Sequence, residues 1–126
     1  MSDNLFPDNI ELDTAFLNSS YADDPETAMM MFETYLEELP VNLQLLKDSF
    51  NNQDIEAFCK LIHKQKPSFT YVGLTDLTEK FHALQTTVHQ VSDLSTHKEA
   101  ILQSFARIES ATPVIRNTLE LLRQQM

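Results

Sequence analysis

Residues 54–73 read Asp54-Ile55-Glu56-Ala57-Phe58-Cys59-Lys60-Leu61-Ile62-His63-Lys64-Gln65-Lys66-Pro67-Ser68-Phe69-Thr70-Tyr71-Val72-Gly73. Ile55, Phe58, Cys59, Ile62 and Phe69 recur at intervals that gather them on one face of an α-helix. Asp54 is an N-cap residue, and Gly73, the only glycine in the chain, is the natural left-handed stop. With the mean direction of the apolar stripe at zero, His63 falls at about 80°, Lys60 at about 140° and Lys64 at about 180°. The imidazole therefore sits at the edge of the buried face, within reach of solvent. Lys66, Pro67 and Thr70, three, four and seven residues further on, occupy the turns beside it.

The same periodicity continues on both sides. Upstream, Asp24-Pro25-Glu26 opens a helix with the stripe Phe32, Tyr35, Leu36, Leu39, Leu43, Leu46 and Phe50, ended by the turn Asn51-Asn52-Gln53. Pro40 lies inside this stripe and predicts a kink rather than a break. Downstream, Thr75 or Asp76 caps a helix carrying Leu77, Phe81, Leu84, Val88 and Val91. Thr96 and Glu99 have the spacing of a capping box for a last helix with Ile101, Phe105, Ile108, Ile115, Leu119 and Leu122 inside, bent at Pro113. A short helix over about Asp13 to Ser19 precedes the rest, with Phe16 and Leu17 apolar. The expected fold is all-α, an antiparallel four-helix bundle over residues 24–125 with a short additional N-terminal helix. The chain reads as a single domain, 1–126, with 1–9 expected to be flexible.

One glycine against five prolines leaves little for hairpin turns and argues against a β fold. The net charge of −10 disfavours a nucleic-acid surface, which must neutralise phosphates. That charge is unevenly placed. Residues 1–46 hold ten acids and no Lys or Arg, whereas residues 47–126 hold nine of each sign. No acid lies between Glu56 and Asp76, so Lys60, Lys64 and Lys66 make a basic island around His63. The single cysteine, Cys59, suits a reducing compartment and a buried structural thiol. No apolar run approaches the roughly 20 residues that span a bilayer, and the N-terminus lacks the features of a signal peptide. A cytoplasmic, monomeric protein without membrane contact is expected. Met29-Met30-Met31 reads as core filling more readily than as a partner surface.

If the chain reverses at Gly73-Leu74, residues whose numbers sum to about 148 face each other across the antiparallel pair, which sets His63 opposite Gln85. A Gln carbonyl accepting from Nδ1–H would leave Nε2 as the outward lone pair. A neutral, oriented imidazole with an ammonium one turn away is suited to attack phosphorus. His82 and His89 share a helical face, but a third ligand at motif spacing is lacking, so no metal site is expected. A chain with one glycine cannot build a phosphate-cradling ATP loop.

The run His63-Lys64-Gln65-Lys66-Pro67-Ser68-Phe69, followed by Gly73-Leu74 and Leu77, resembles the histidine-containing phosphotransfer (HPt) domain pattern. The Asp24-Pro25 start and the Phe32, Leu36, Pro40 spacing extend the resemblance over about residues 10–125. It implies that His63 is a phosphoacceptor, that Lys66 offsets phosphoryl charge and that Gln85 orients the imidazole; Lys60, Lys64, Pro67 and Thr70, by their place beside His63, are expected to meet the partner. It also implies relay between receiver domains of response regulators or hybrid kinases, no cofactor of its own, Mg²⁺ brought by the receiver, and no ATP-dependent kinase activity. One position departs from the pattern: Pro67 stands where the family usually has Gly. A helical adaptor without chemistry is the alternative, and it would tolerate loss of His63. A dimeric kinase phosphoacceptor domain is disfavoured, because it would carry Glu where Lys64 follows His63.

Overall fold

The computed structural model describes residues 5–88, 90 and 93–125. These form α1 (Thr14–Tyr21), α2 (Pro25–Asn51), α3 (Ile55–Tyr71), α4 (Thr75–Val88), a 3₁₀ turn (Leu94–His97) and α5 (Lys98–Gln124). Three of the helices enter on an aspartate whose carboxylate accepts the N–H three residues on: Asp13 from Phe16, Asp24 from Thr27 and Asp54 from Ala57. α2 packs against α3 and α5, and α4 closes the ring by packing against the same two, while α1 rests on α2. The result is the expected all-helical bundle. The apolar stripes read from the sequence line its core, with Leu36, Leu43 and Ile55 half-buried at the margin. Val91, also placed in a stripe, lies outside the described residues. The methionine run splits, with Met29 and Met31 against the core and Met30 exposed.

α3 ends as its glycine predicts. Gly73 adopts φ +84°, its N–H donates to the Thr70 carbonyl at 3.0 Å, and the Leu74 N–H donates to the Phe69 carbonyl at 2.9 Å. This is a complete Schellman motif. α2 ends on the same pair of bonds, but with Gln53 at the left-handed position (φ 55°). Its side chain offers a reason for a non-glycine there: Oε1 accepts the Leu94 N–H at 2.9 Å, tying the α2–α3 turn to the 3₁₀ turn.

α2, α3 and α5 run without interruption through Pro40, Pro67 and Pro113. All three rings are exposed, and the residues four earlier, whose carbonyls lose a helical N–H partner to the prolines, are the half-buried Leu36 and the exposed His63 and Glu109. The expected capping box does not form. Asp93 caps the 3₁₀ turn by accepting from the Ser95 N–H at 2.8 Å, so Thr96 is already inside a turn, and α5 begins at Lys98 with no side-chain cap.

Within residues 1–9, the stretch expected to be flexible, Leu5 and Phe6 are buried. The Phe6 ring packs on Phe32 and Tyr21, with centroids 5.8 and 6.0 Å away, and Asn18 exchanges two hydrogen bonds with the Phe6 backbone. Residues 1–4 lie outside the described residues.

Arg107 of α5 holds this end of the bundle together. It donates to the Glu11 carboxylate at 2.8 Å, to the Glu11 carbonyl and to Asp76 at 2.9 Å. Burial pushes the Asp76 carboxyl up, but the hydrogen bonds and charge of Arg107, with backbone N–H groups at the start of α4, outweigh it and hold the group below its ordinary value. A depressed carboxylate contributes stability above the unfolded value of 3.8, and that contribution is lost as pH falls through the folded value. The melting temperature should therefore drop on acidification below about pH 4, and Asp76→Asn should flatten that drop. An equally steep drop in the variant would refute the assignment.

Tyr35 is buried against Phe69, and its hydroxyl has no hydrogen-bond partner among the described residues. Burial pushes this phenol above its ordinary range. An unpaired buried hydroxyl costs about 1–3 kcal/mol, so Tyr35→Phe should raise unfolding stability by about 1 kcal/mol. Denaturant titration showing a loss instead would mean that the hydroxyl is satisfied in solution.

Candidate functional site

The α3–α4 hairpin sets the site, and two side-chain pairs establish its register. Thr70 Oγ1 lies 2.7 Å from Thr78 Oγ1, and Lys66 Nζ lies 3.2 Å from His82 Nδ1. Both pairs obey the same antiparallel sum as His63 and Gln85, which form the next rung. On the core side the Phe69 and Phe81 rings stack at 5.3 Å and clamp the two helices. His63 is exposed, and it shares with Gln85 a shallow depression of about 260 Å³ whose other walls are Glu56, Cys59 and Lys60. The expected neighbourhood is present, but no hydrogen bond joins Gln85 to His63.

The other residues picked out in the sequence divide between two sides of α3. Lys60 faces the His63 depression and is paired with Glu56 at 3.0 Å. Lys64 and Pro67 instead line a groove of about 490 Å³ between α2 and α3, opposite Glu37 and Glu38. The basic island is thus partly offset by acids that chain order placed far away. Thr70 is half-buried and engaged with Thr78, so it supports the hairpin. Cys59 is buried, and burial pushes its thiol above its ordinary value, which fits a structural role.

Two residues of the site were missed. Gln65, a polar residue of the His63 motif given no role there, is buried and donates to the Asn42 carbonyl of α2 at 3.2 Å, fixing the rotation of α3 against its neighbour. His82 reads as a histidine without a setting, yet its ring meets the Lys66 ammonium. The register that pairs residue 63 with 85 also pairs 66 with 82, so the signal was present. His89, its partner in the rejected metal reading, lies outside the described residues. Among the described residues, no group of three His, Cys, Asp or Glu side chains is placed to hold a metal ion. A further concavity of about 620 Å³ runs along the start of α5, lined by residues such as Lys98, Leu102 and Gln103, and includes none of the site residues above.

An exposed imidazole, a facing carboxamide and an ammonium one turn along form a surface that can accept an anion at a nucleophile. No helix among the described residues is long and apolar enough to cross a membrane. Comparison with the curated proteins and with the solved structures finds no match. The pattern of the Hpt domain, however, matches residues 30–125, a span that contains His63, Lys66, His82 and Gln85. The chain therefore belongs to the Hpt domain family, helical bundles that carry out histidine phosphotransfer in phosphorelays.

Proposed function

We propose that His63 is the phosphoacceptor of a relay between aspartate receiver domains. The observation that carries this reading is the α3–α4 register, which sets an exposed His63 in one depression with Gln85 and places Lys66 on the adjoining rung. The His63 Nε2 lone pair attacks the phosphorus of a receiver's aspartyl phosphate. A P–N bond forms while the P–O bond breaks, and the receiver carboxylate leaves with the electron pair. No proton is lost, because Nδ1 keeps its hydrogen; Gln85, which shares the depression but is not bonded to His63 in the unbound bundle, is assigned as its acceptor once the receiver docks. Transfer to a second receiver reverses the step.

In this reading the small bundle supplies position and charge, while the receiver brings the aspartate and Mg²⁺. Lys60 and the Lys64–Pro67 face flank the docking partner, and the chain acts as a monomer without a kinase activity of its own. Incubation with phosphorylated receivers, followed by peptide mapping of the acid-labile label, tests the reading. Label on the peptide holding His63 is expected, and label confined to His82 or His97 would overturn it. Lys66→Ala should slow transfer roughly tenfold, the scale of one charge-assisted hydrogen bond, without lowering the melting temperature. An unchanged rate would remove Lys66 from the mechanism.

A further inference from the structure

We propose that His82 is a positioning residue of this site: its neutral imidazole holds the Lys66 ammonium in place, one rung from His63, without cancelling its charge. The inference rests on the reading of His63 as phosphoacceptor and adds a residue to it. An ammonium group can only donate, so the 3.2 Å contact makes Nδ1 of His82 the acceptor and places the ring hydrogen on Nε2. Lysine carries three N–H donors, and one bond to His82 leaves two for phosphoryl oxygens.

A free lysine must give up considerable rotamer freedom when it engages a phosphoryl group. Lys66 is half-buried along the hairpin and already tethered, so part of that ordering precedes transfer. The chemistry of the tether matters. A carboxylate at position 82 would hold the ammonium more firmly but neutralise it, whereas an uncharged acceptor holds it and leaves the field at His63 intact. His82 is exposed, and its backbone carbonyl accepts from the Thr86 hydroxyl at 3.1 Å, so the ring can be replaced without opening a cavity.

The test uses the full chain and phosphoramidate, whose P–N bond breaks as the His63 Nε2–phosphorus bond forms and ammonia leaves with the electron pair. Uptake followed by ³¹P NMR should be roughly three- to fivefold slower in His82→Ala, the scale of an exposed charge-assisted bond. It should be near the original rate in His82→Asn, whose carbonyl is an uncharged acceptor, and slowest in His82→Glu. In a Lys66→Ala background, His82→Ala should add nothing. A structural role would not rank Asn above Glu, nor vanish when Lys66 is removed. Equal rates for all three variants, or a full effect of His82→Ala without Lys66, would overturn the proposal alone. Absence of label at His63 in the unmodified protein would instead overturn the phosphoacceptor reading beneath it. Ring ¹⁵N shifts give a check independent of phosphorylation: an Nε2–H tautomer at His82 is expected, and an Nδ1–H tautomer would exclude the bond from Lys66.

Discussion

His63→Gln is expected to abolish phosphoryl uptake while leaving the bundle folded. The His63 side chain is exposed and makes no hydrogen bond among the described residues, so its replacement opens no cavity and strands no buried polar group. Surface changes of this kind usually move stability by less than about 0.5 kcal/mol. The chemical loss, by contrast, should be complete, because a carboxamide offers no nucleophilic nitrogen lone pair to phosphorus. His82 does not provide a substitute: its Nε2 carries the ring hydrogen and its Nδ1 lone pair is turned to Lys66. Acid-labile label measured on the variant after exposure to phosphorylated receivers should be at background. Label retained at the original level would leave the adaptor reading as the better account of His63.

Gly73→Ala should produce the largest loss of stability of any single methyl addition near the site. At φ +84° a side chain carries an intrinsic penalty, about 1–2 kcal/mol for an L-residue in the left-handed region. Space is also lacking. A Cβ at this position would lie 2.7 Å from Leu17 Cδ1 and 3.3 Å from Leu12 Cβ, both on buried residues of the N-terminal segment. Overpacking adds about 1–3 kcal/mol, so a total of about 2–5 kcal/mol and a melting temperature lower by roughly 10 °C or more are expected. The Gly73 carbonyl also accepts the Asp13 N–H at 2.8 Å, so displacement here would loosen α1 as well. Thermal unfolding monitored by circular dichroism checks this, and a change under 0.5 kcal/mol would mean that Leu17 yields freely. His63 lies ten residues earlier, within α3, and keeps its chemistry, so the two variants separate stability from transfer.

The helices were legible because capping and apolar period are local. Asp13, Asp24 and Asp54 announced three N-termini, and the stripes of α2 to α5 announced their buried faces. Where a competing local signal existed the reading failed, as at Thr96, where Asp93 captured the turn first. Leu5 and Phe6 were illegible for the opposite reason: two apolar residues have no period, and their burial comes from Phe32, Tyr21 and Asn18, which lie far along the chain.

At the site, chain order alone determined that an accessible imidazole stands one turn from a lysine and faces position 85. A single hinge glycine sets the antiparallel count, and helical geometry does the rest. Which partners those side chains choose was decided only by the tertiary structure. The pairing of Lys66 with His82, the rotation of Lys64 and Pro67 toward Glu37 and Glu38, and the anchoring of Gln65 on Asn42 depend on how far α3 turns about its axis against α2 and α4. That angle is set by the packing of Phe69 and its neighbours in the shared core. Period and propensity act within one helix and are written in its own residues. Contacts between helices depend on all of them at once.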